Sequence, residues 1–244
     1  MNDLLTRSLA RIVTGNHKTA SVFEKYQLDF CCRGKRTLQQ ACEDTGLNTH
    51  VILSELELAN STTTGDNYSP DQMSLSELVS HIVNTHHAYV KNELPLIFGY
   101  LRKVSAKHGE RHPELFKIFE LFAVVKEEME LHMQKEEKIL FPRITEIERL
   151  AAGNTLISFS KTFLSAPVSM MEQEHDHAGN LMAGIRQFTN NYTAPAEACT
   201  TYRLSFAAMQ TFEAELHRHV HLENNILFPK ALHLFDTFGS HPSN

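Results

Sequence analysis

His132 and Glu136, and again His219 and Glu223, stand four residues apart within two near-copies of one pattern. These are His132-Met-Gln-Lys-Glu136-Glu-Lys-Ile-Leu-Phe-Pro-Arg143 and His219-Val-His-Leu-Glu223-Asn-Asn-Ile-Leu-Phe-Pro-Lys230. On a helix, residues four apart lie within about 40° of each other and about 6 Å along the axis, so imidazole and carboxylate can reach one ion. The duplication extends upstream: His87 lies 45 residues before His132, and His175 lies 44 before His219. Each half therefore offers His, then His plus Glu. Such ligands with vacant positions suit iron or manganese better than structural zinc, which favours closed, thiolate-rich tetrahedra. Iron is the expected metal, as a pair in which two Glu bridge and four His terminate.

These side chains need long helices to hold them. Ser74-Leu-Ser-Glu77 is a capping box that opens an amphipathic segment to about Lys107. His112-Pro113 starts a second helix, to Leu150, with a seam at 115, 118, 122, 125, 129, 132, 136 and 139. A third, about Phe163 to Asn190, puts Met171, His175, Ala178, Met182 and Ile185 on one stripe. Pro195 opens a fourth to about Phe235, with Met209, Phe212, Leu216, His219, Glu223 and Ile226 as its seam. Four helices with polar groups at equivalent seam positions make an all-α, up-down four-helix bundle over residues 73–236, with 237–244 as a tail. Buried carboxylates and imidazoles are costly unless paired or metal-bound, and six in register favour a metal.

The first helix leaves two candidates. His86 continues a stripe of Val79 and Ile82, while His87 continues Val83, Val90, Leu94, Ile97 and Leu101. His177, His217 and His221 fall off their seams and read as solvent-facing. Glu128 and Glu174 read first as solvated helix charges, with support of a neighbouring ligand as the alternative.

Residues 1–60 give short helical pieces, Leu4 to Val13, Thr19 to Tyr26, Leu38 to Asp44 and His50 to Leu58, with little core of their own. Residues 61–72, polar and rich in breakers, read as a linker. Four cysteines among 244 residues, two of them the adjacent Cys31 and Cys32, do not make a secreted disulfide framework. With no apolar run of about 18 residues and no signal-peptide start, the expectation is a cytoplasmic protein without membrane attachment. The formal charge of -6 lacks the basic excess that nucleic-acid backbones select.

The chain resembles the hemerythrin-like di-iron proteins that repair iron centres, a family also described as regulators of cell morphogenesis and nitric oxide signalling. The resemblance rests on Asp29-Phe-Cys-Cys-Arg-Gly34 with Thr37-Leu38, His87 with Glu93-Leu-Pro95, the two repeats above, Glu174-His-Asp-His-Ala-Gly179 and Pro195-Ala-Glu197-Ala-Cys199. It covers nearly the whole chain and implies a hemerythrin-like bundle behind a small helical cysteine domain. It also implies two carboxylate-bridged non-haem iron ions, with or without an oxo or hydroxo bridge, on His87, His132, Glu136, His175, His219 and Glu223. That selects His87 over His86. The four-His, two-Glu set is less His-rich than in oxygen-carrying hemerythrins, which argues against reversible oxygen carriage. Arg33 stands where the family often has Gly, and an adjacent cation favours thiolate at Cys31 or Cys32.

The implied function is repair of iron-sulfur clusters damaged by oxidative or nitrosative stress, by donating or mobilising iron. Its partners are iron-sulfur clients and the small ligands NO and O2, with a homo-oligomer left open and a thiol role for Cys31 and Cys32. The alternatives are an enzyme reducing NO to N2O at a di-ferrous pair, and a sensor or iron store.

Overall fold

The computed structural model describes residues 2–61, 69–153, 159–160 and 162–238. Most of the expected linker at 61–72 and of the tail at 237–244 lies outside them. No strand occurs among the described residues; one isolated antiparallel bridge joins Ser8 to Thr37.

The N-terminal part comprises α1 (Asn2–Thr6), α2 (Leu9–Gly15), a 3-10 turn at His17–Thr19, α3 (Ala20–Lys25), α4 (Leu38–Thr45) and α5 (Thr49–Ser61). The single helix expected over Leu4 to Val13 is divided, because Ser8 turns extended and caps α2 by accepting from Arg11 N. Thr37 and Gln40 form a reciprocal capping box on α4, which closes on Gly46 in the left-handed conformation (φ 67°). This part is not poor in core. Leu9, Phe23, Phe30, Leu38, Ile52 and Leu56 are buried in one apolar cluster that continues into Leu216 and Val220 of the bundle.

The first long helix consists of α6 (Leu75–His81), a π-helical turn (Ile82–His87) and α7 (Ala88–His108). The second is α8 (Glu114–Lys135), a π turn (Glu136–Leu140) and α9 (Phe141–Ala152). The third, α10 (Thr162–Phe188), is uninterrupted. The fourth is α11 (Thr200–Leu222), a π turn (Glu223–Leu227) and α12 (Phe228–Phe238). The fourth helix starts at Thr200 rather than Pro195, after a turn in which Ala198 N bonds Pro195 O. Consecutive helices pack on one another and the first also packs on the fourth, as an up-down bundle requires. Ser74 and Glu77 form the expected capping box, and Glu148 of α9 accepts from Leu75 N and Ser76 N at 2.7 and 2.9 Å.

Each π turn inserts one residue and moves the buried seam on by one place. Hence Ile139, which the three-four spacing placed in the core, is 48% exposed, and Leu140 is buried instead. The apolar interior forms two clusters. The larger holds Val90 to Val104, Leu115 to Met133, Ala178 to Ile185 and the N-terminal helices. The smaller holds Leu75, Leu78, Ile82, Ile144, Val168, Phe228 and Phe235. The repeated His and Glu residues fall where the two clusters meet on each long helix: His87 between Ile82 and Val90, Glu136 between Met133 and Leu140, His175 between Met171 and Ala178, and His219 and Glu223 flanking Val220 and Leu222.

Candidate metal centre

The three π turns begin or end at a singled-out residue: His87 ends the first, and Glu136 and Glu223 open the others. The wider turn lets a polar side chain face the axis without breaking the apolar stripe on either side. His87, His132, Glu136, His175, His219 and Glu223 are all nearly or fully buried, none more than 2% exposed. Their ligand atoms form two groups that share both glutamates: His87, Glu136, His219 and Glu223, and His132, Glu136, His175 and Glu223. Within each group, one atom from every residue lies within 4.8 Å of the others.

The pairing is symmetric. His87 Nε2 is 3.2 Å from His219 Nε2, and His175 Nε2 is 3.0 Å from His132 Nε2. Two nitrogens about 2.1 Å from one ion at right angles would be about 3.0 Å apart. Glu136 Oε2 lies 3.3 Å from both His87 Nε2 and His132 Nε2. Glu223 Oε1 lies 3.0 Å from His219 Nε2, and its Oε2 lies 3.2 Å from His175 Nε2. Each carboxylate therefore reaches both nitrogen pairs.

Partners outside the cluster orient the rings. His87 Nδ1 donates to Glu137 Oε1 at 2.7 Å, His132 Nδ1 to Glu174 Oε2 at 2.9 Å, and His175 Nδ1 to Asn224 Oδ1 at 2.8 Å. These acceptors hold a proton on Nδ1 and turn Nε2 inward, the orientation that a metal-ligating imidazole needs. Glu174 is thus a partner of His132, held also by Lys135, rather than a solvated charge. Glu128 faces the exposed His177 at 3.4 Å. His219 Nδ1 is buried without a partner, and its ring stacks at 5.7 Å on His86, which pairs with Glu215 at 2.7 Å.

Burial opposes charge throughout the cluster, yet the imidazoles hold Glu136 and Glu223 below the usual carboxylate range. Against the same burial, the two glutamates push His87 and His132 up to about 10. Both oxygens of Glu136 and Oε2 of Glu223 are buried with no hydrogen-bond partner. Two buried carboxylates among four inward-turned Nε2 atoms fit a pair of cations, which would take the place of the protons that the rings otherwise hold there.

Sequence reasoning missed Glu137 and Asn224, each immediately after a candidate ligand glutamate. It also misjudged two histidines. His221 is 3% exposed, packs edge-on to Phe30 and lies 3.3 Å from Thr14 Oγ1. His217 donates to Glu24 at 2.7 Å. Both face the docked N-terminal helices, not solvent.

Cys31 and Cys32 lie against the bundle. Asn225 Nδ2 donates to Cys31 O at 2.9 Å, and a cavity of about 640 Å³ is lined by Cys31, Cys32, Arg33 and His175. The expectation of a thiolate fails for Cys31. Its hydrogen bond to Cys32, burial and the nearby Asp29 carboxylate push the thiol up, and Arg33 is exposed. A second opening of about 300 Å³, between α8 and α10, reaches His132.

Residues 78–231 match the hemerythrin HHE cation-binding domain, which gives the class of the bundle, and residues 5–60 match a domain of unknown function, DUF542. Over 216 residues the chain is 36% identical to the iron-sulfur cluster repair protein YtfE of Cronobacter sakazakii, and 35% identical to those of Escherichia coli O157:H7 and Escherichia fergusonii. These matches cover 88% of this chain and 91% of each relative. The chain belongs to the family of hemerythrin-domain iron-sulfur cluster repair proteins. No helix among the described residues is long and apolar enough to cross a membrane.

Proposed function

We propose that this protein holds two irons on His87, His132, Glu136, His175, His219 and Glu223 and uses them to restore iron-sulfur clusters in client proteins. The observation that carries this reading is the buried pair of carboxylates, Glu136 and Glu223, shared between two pairs of inward-facing imidazoles, with no group among the described residues other than those imidazoles near enough to balance them. The relatives' names supply the activity. When bound, the iron pair supplies redox-active and exchangeable cations.

The chain's own residues set how that iron is kept and released. Glu137, Glu174 and Asn224 hold three ligand rings by their Nδ1 protons, so a departing cation leaves a preformed site behind. Phe141 stacks on His87 and Phe228 on His175, closing the side toward the smaller apolar cluster. His132 and His175 each line an opening, whereas His87 and His219 line neither. The His132–His175 position is therefore the exchangeable one.

The test is anaerobic purification, iron quantification and reactivation of a damaged cluster enzyme. Two irons per chain with recovery of the client is the expected result. Absence of iron overturns the reading, and sustained conversion of NO to N2O with reductant would make the chain an enzyme instead.

A further inference from the structure

Asp29, Cys31 and Cys32 form a second kind of donor cluster, apart from the histidine and glutamate centre. One donor atom from each lies within 4.8 Å of the others. Cys31 Sγ is 3.9 Å from Cys32 Sγ and 3.3 Å from Asp29 Oδ1. Two sulfurs bound at about 2.3 Å with a tetrahedral angle are about 3.8 Å apart, and such a sulfur and a carboxylate oxygen about 3.6 Å apart. The metal-free side chains already stand close to those separations. Their backbone is fixed from two directions: Asp29 Oδ1 accepts from Cys31 N and Cys32 N at 3.0 and 2.9 Å, and Asn225 holds the Cys31 carbonyl. The same cavity that the three residues line has His175 in its wall.

We propose that Asp29, Cys31 and Cys32 constitute a third metal site, for a thiophilic divalent cation, with one coordination position open to the cavity. Binding replaces the two thiol protons, which leave to solvent, and involves no change of oxidation state. Arg33 and Arg36 line the cavity and offset the negative charge of two thiolates and a carboxylate around one dication. Sharing one cavity with His175 of the exchangeable position, the site is a holding point for iron in transit. That use rests on the repair reading; the site itself does not.

The test loads the full chain with iron anaerobically, keeps the thiols reduced with a phosphine, and titrates Co(II) as the probe. One further equivalent per chain should bind, with thiolate-to-cobalt charge-transfer absorption and release of two protons. Cys32→Ser should abolish that absorption, and Asp29→Asn, which retains the acceptor for the two backbone N–H groups, should keep it while weakening binding at least about tenfold. Cys31 is buried, so Cys31→Ser is read only if its circular dichroism matches the parent. Cobalt entering an iron-free histidine and glutamate centre gives no thiolate band, so failure of the repair reading is told apart from failure of this one. No thiolate band in the parent, or a band that persists in Cys32→Ser, overturns the proposal.

Discussion

Asn224 and Asn225, adjacent on the π turn of the fourth helix, hold two different parts of the molecule: Asn224 Oδ1 accepts from the His175 imidazole at 2.8 Å, while Asn225 Nδ2 donates to the Cys31 carbonyl at 2.9 Å. One orients a candidate ligand of the centre and the other fastens the cysteine loop. Their substitutions should separate. Asn224→Ala should lower iron affinity about 10- to 100-fold, read by competition with a chelator. Asn225→Ala should leave iron content unchanged and cost about 1 kcal/mol of docking, read as faster amide exchange in residues 28–34.

Glu174→Ala removes the acceptor of the His132 Nδ1 proton, and Glu137→Ala does the same for His87. Each should weaken iron binding by about 10- to 100-fold while the bundle stays folded. Iron content after dialysis against graded chelator gives the comparison, and unchanged retention in both variants would remove their orienting role.

Of the six candidate ligands, the two openings reach His132 and His175. Chelation of the iron-loaded protein should therefore be biphasic, with one iron leaving several-fold faster than the other, followed by absorbance of the chelator complex. A single phase accounting for both irons would count against unequal access.

A Cβ on Gly34 would meet Phe30 O at 2.1 Å and Ala10 Cβ at 2.9 Å. Backbone cannot yield as a flexible side-chain tip can, so Gly34→Ala should destabilise the N-terminal helices by about 3 kcal/mol or more. Thermal melts should show an early loss of helix, with iron content retained by the bundle.

Glu213, 4% exposed, accepts from Tyr192 Oη at 3.0 Å and lies 3.6 Å from Arg186. Burial raises its pKa above the ordinary 4.5 despite Arg186. The folded state thus binds this proton more tightly than the unfolded chain does. Its contribution is fully present below the unfolded value and is lost as pH rises through the folded one. Urea midpoints of parent and Glu213→Gln across that range should show a falling component in the parent that the variant lacks.

The four helices and six convergent side chains were legible because repetition at matching offsets is a signal that no single His-x-x-x-Glu carries. What escaped was the change of period. A three-four spacing carries Ile82 to His86, but the π turn spends five residues and delivers His87, so the apparent ambiguity between neighbours marked the insertion itself. Ile139 and Leu140 exchanged places for the same reason. His217 and His221 looked exposed because periodicity describes a bundle alone, and the N-terminal helices cover that face with Glu24, Thr14 and Phe30.

The division of the interior into two apolar clusters, with the charged plane where they meet, would make cations bound there the joint across which cooperativity passes. Without them, the stretches from Ile82 to Val90 and from Met133 to Leu140 are joined by buried imidazoles and carboxylates rather than by apolar packing. The end containing α6, α9 and α12 can then open as a separate unit while the larger cluster, buttressed by the N-terminal helices, holds. Iron status would thereby be written into the molecule's local stability, and a protein that has given up its iron would differ from a loaded one in which end exchanges its amides first.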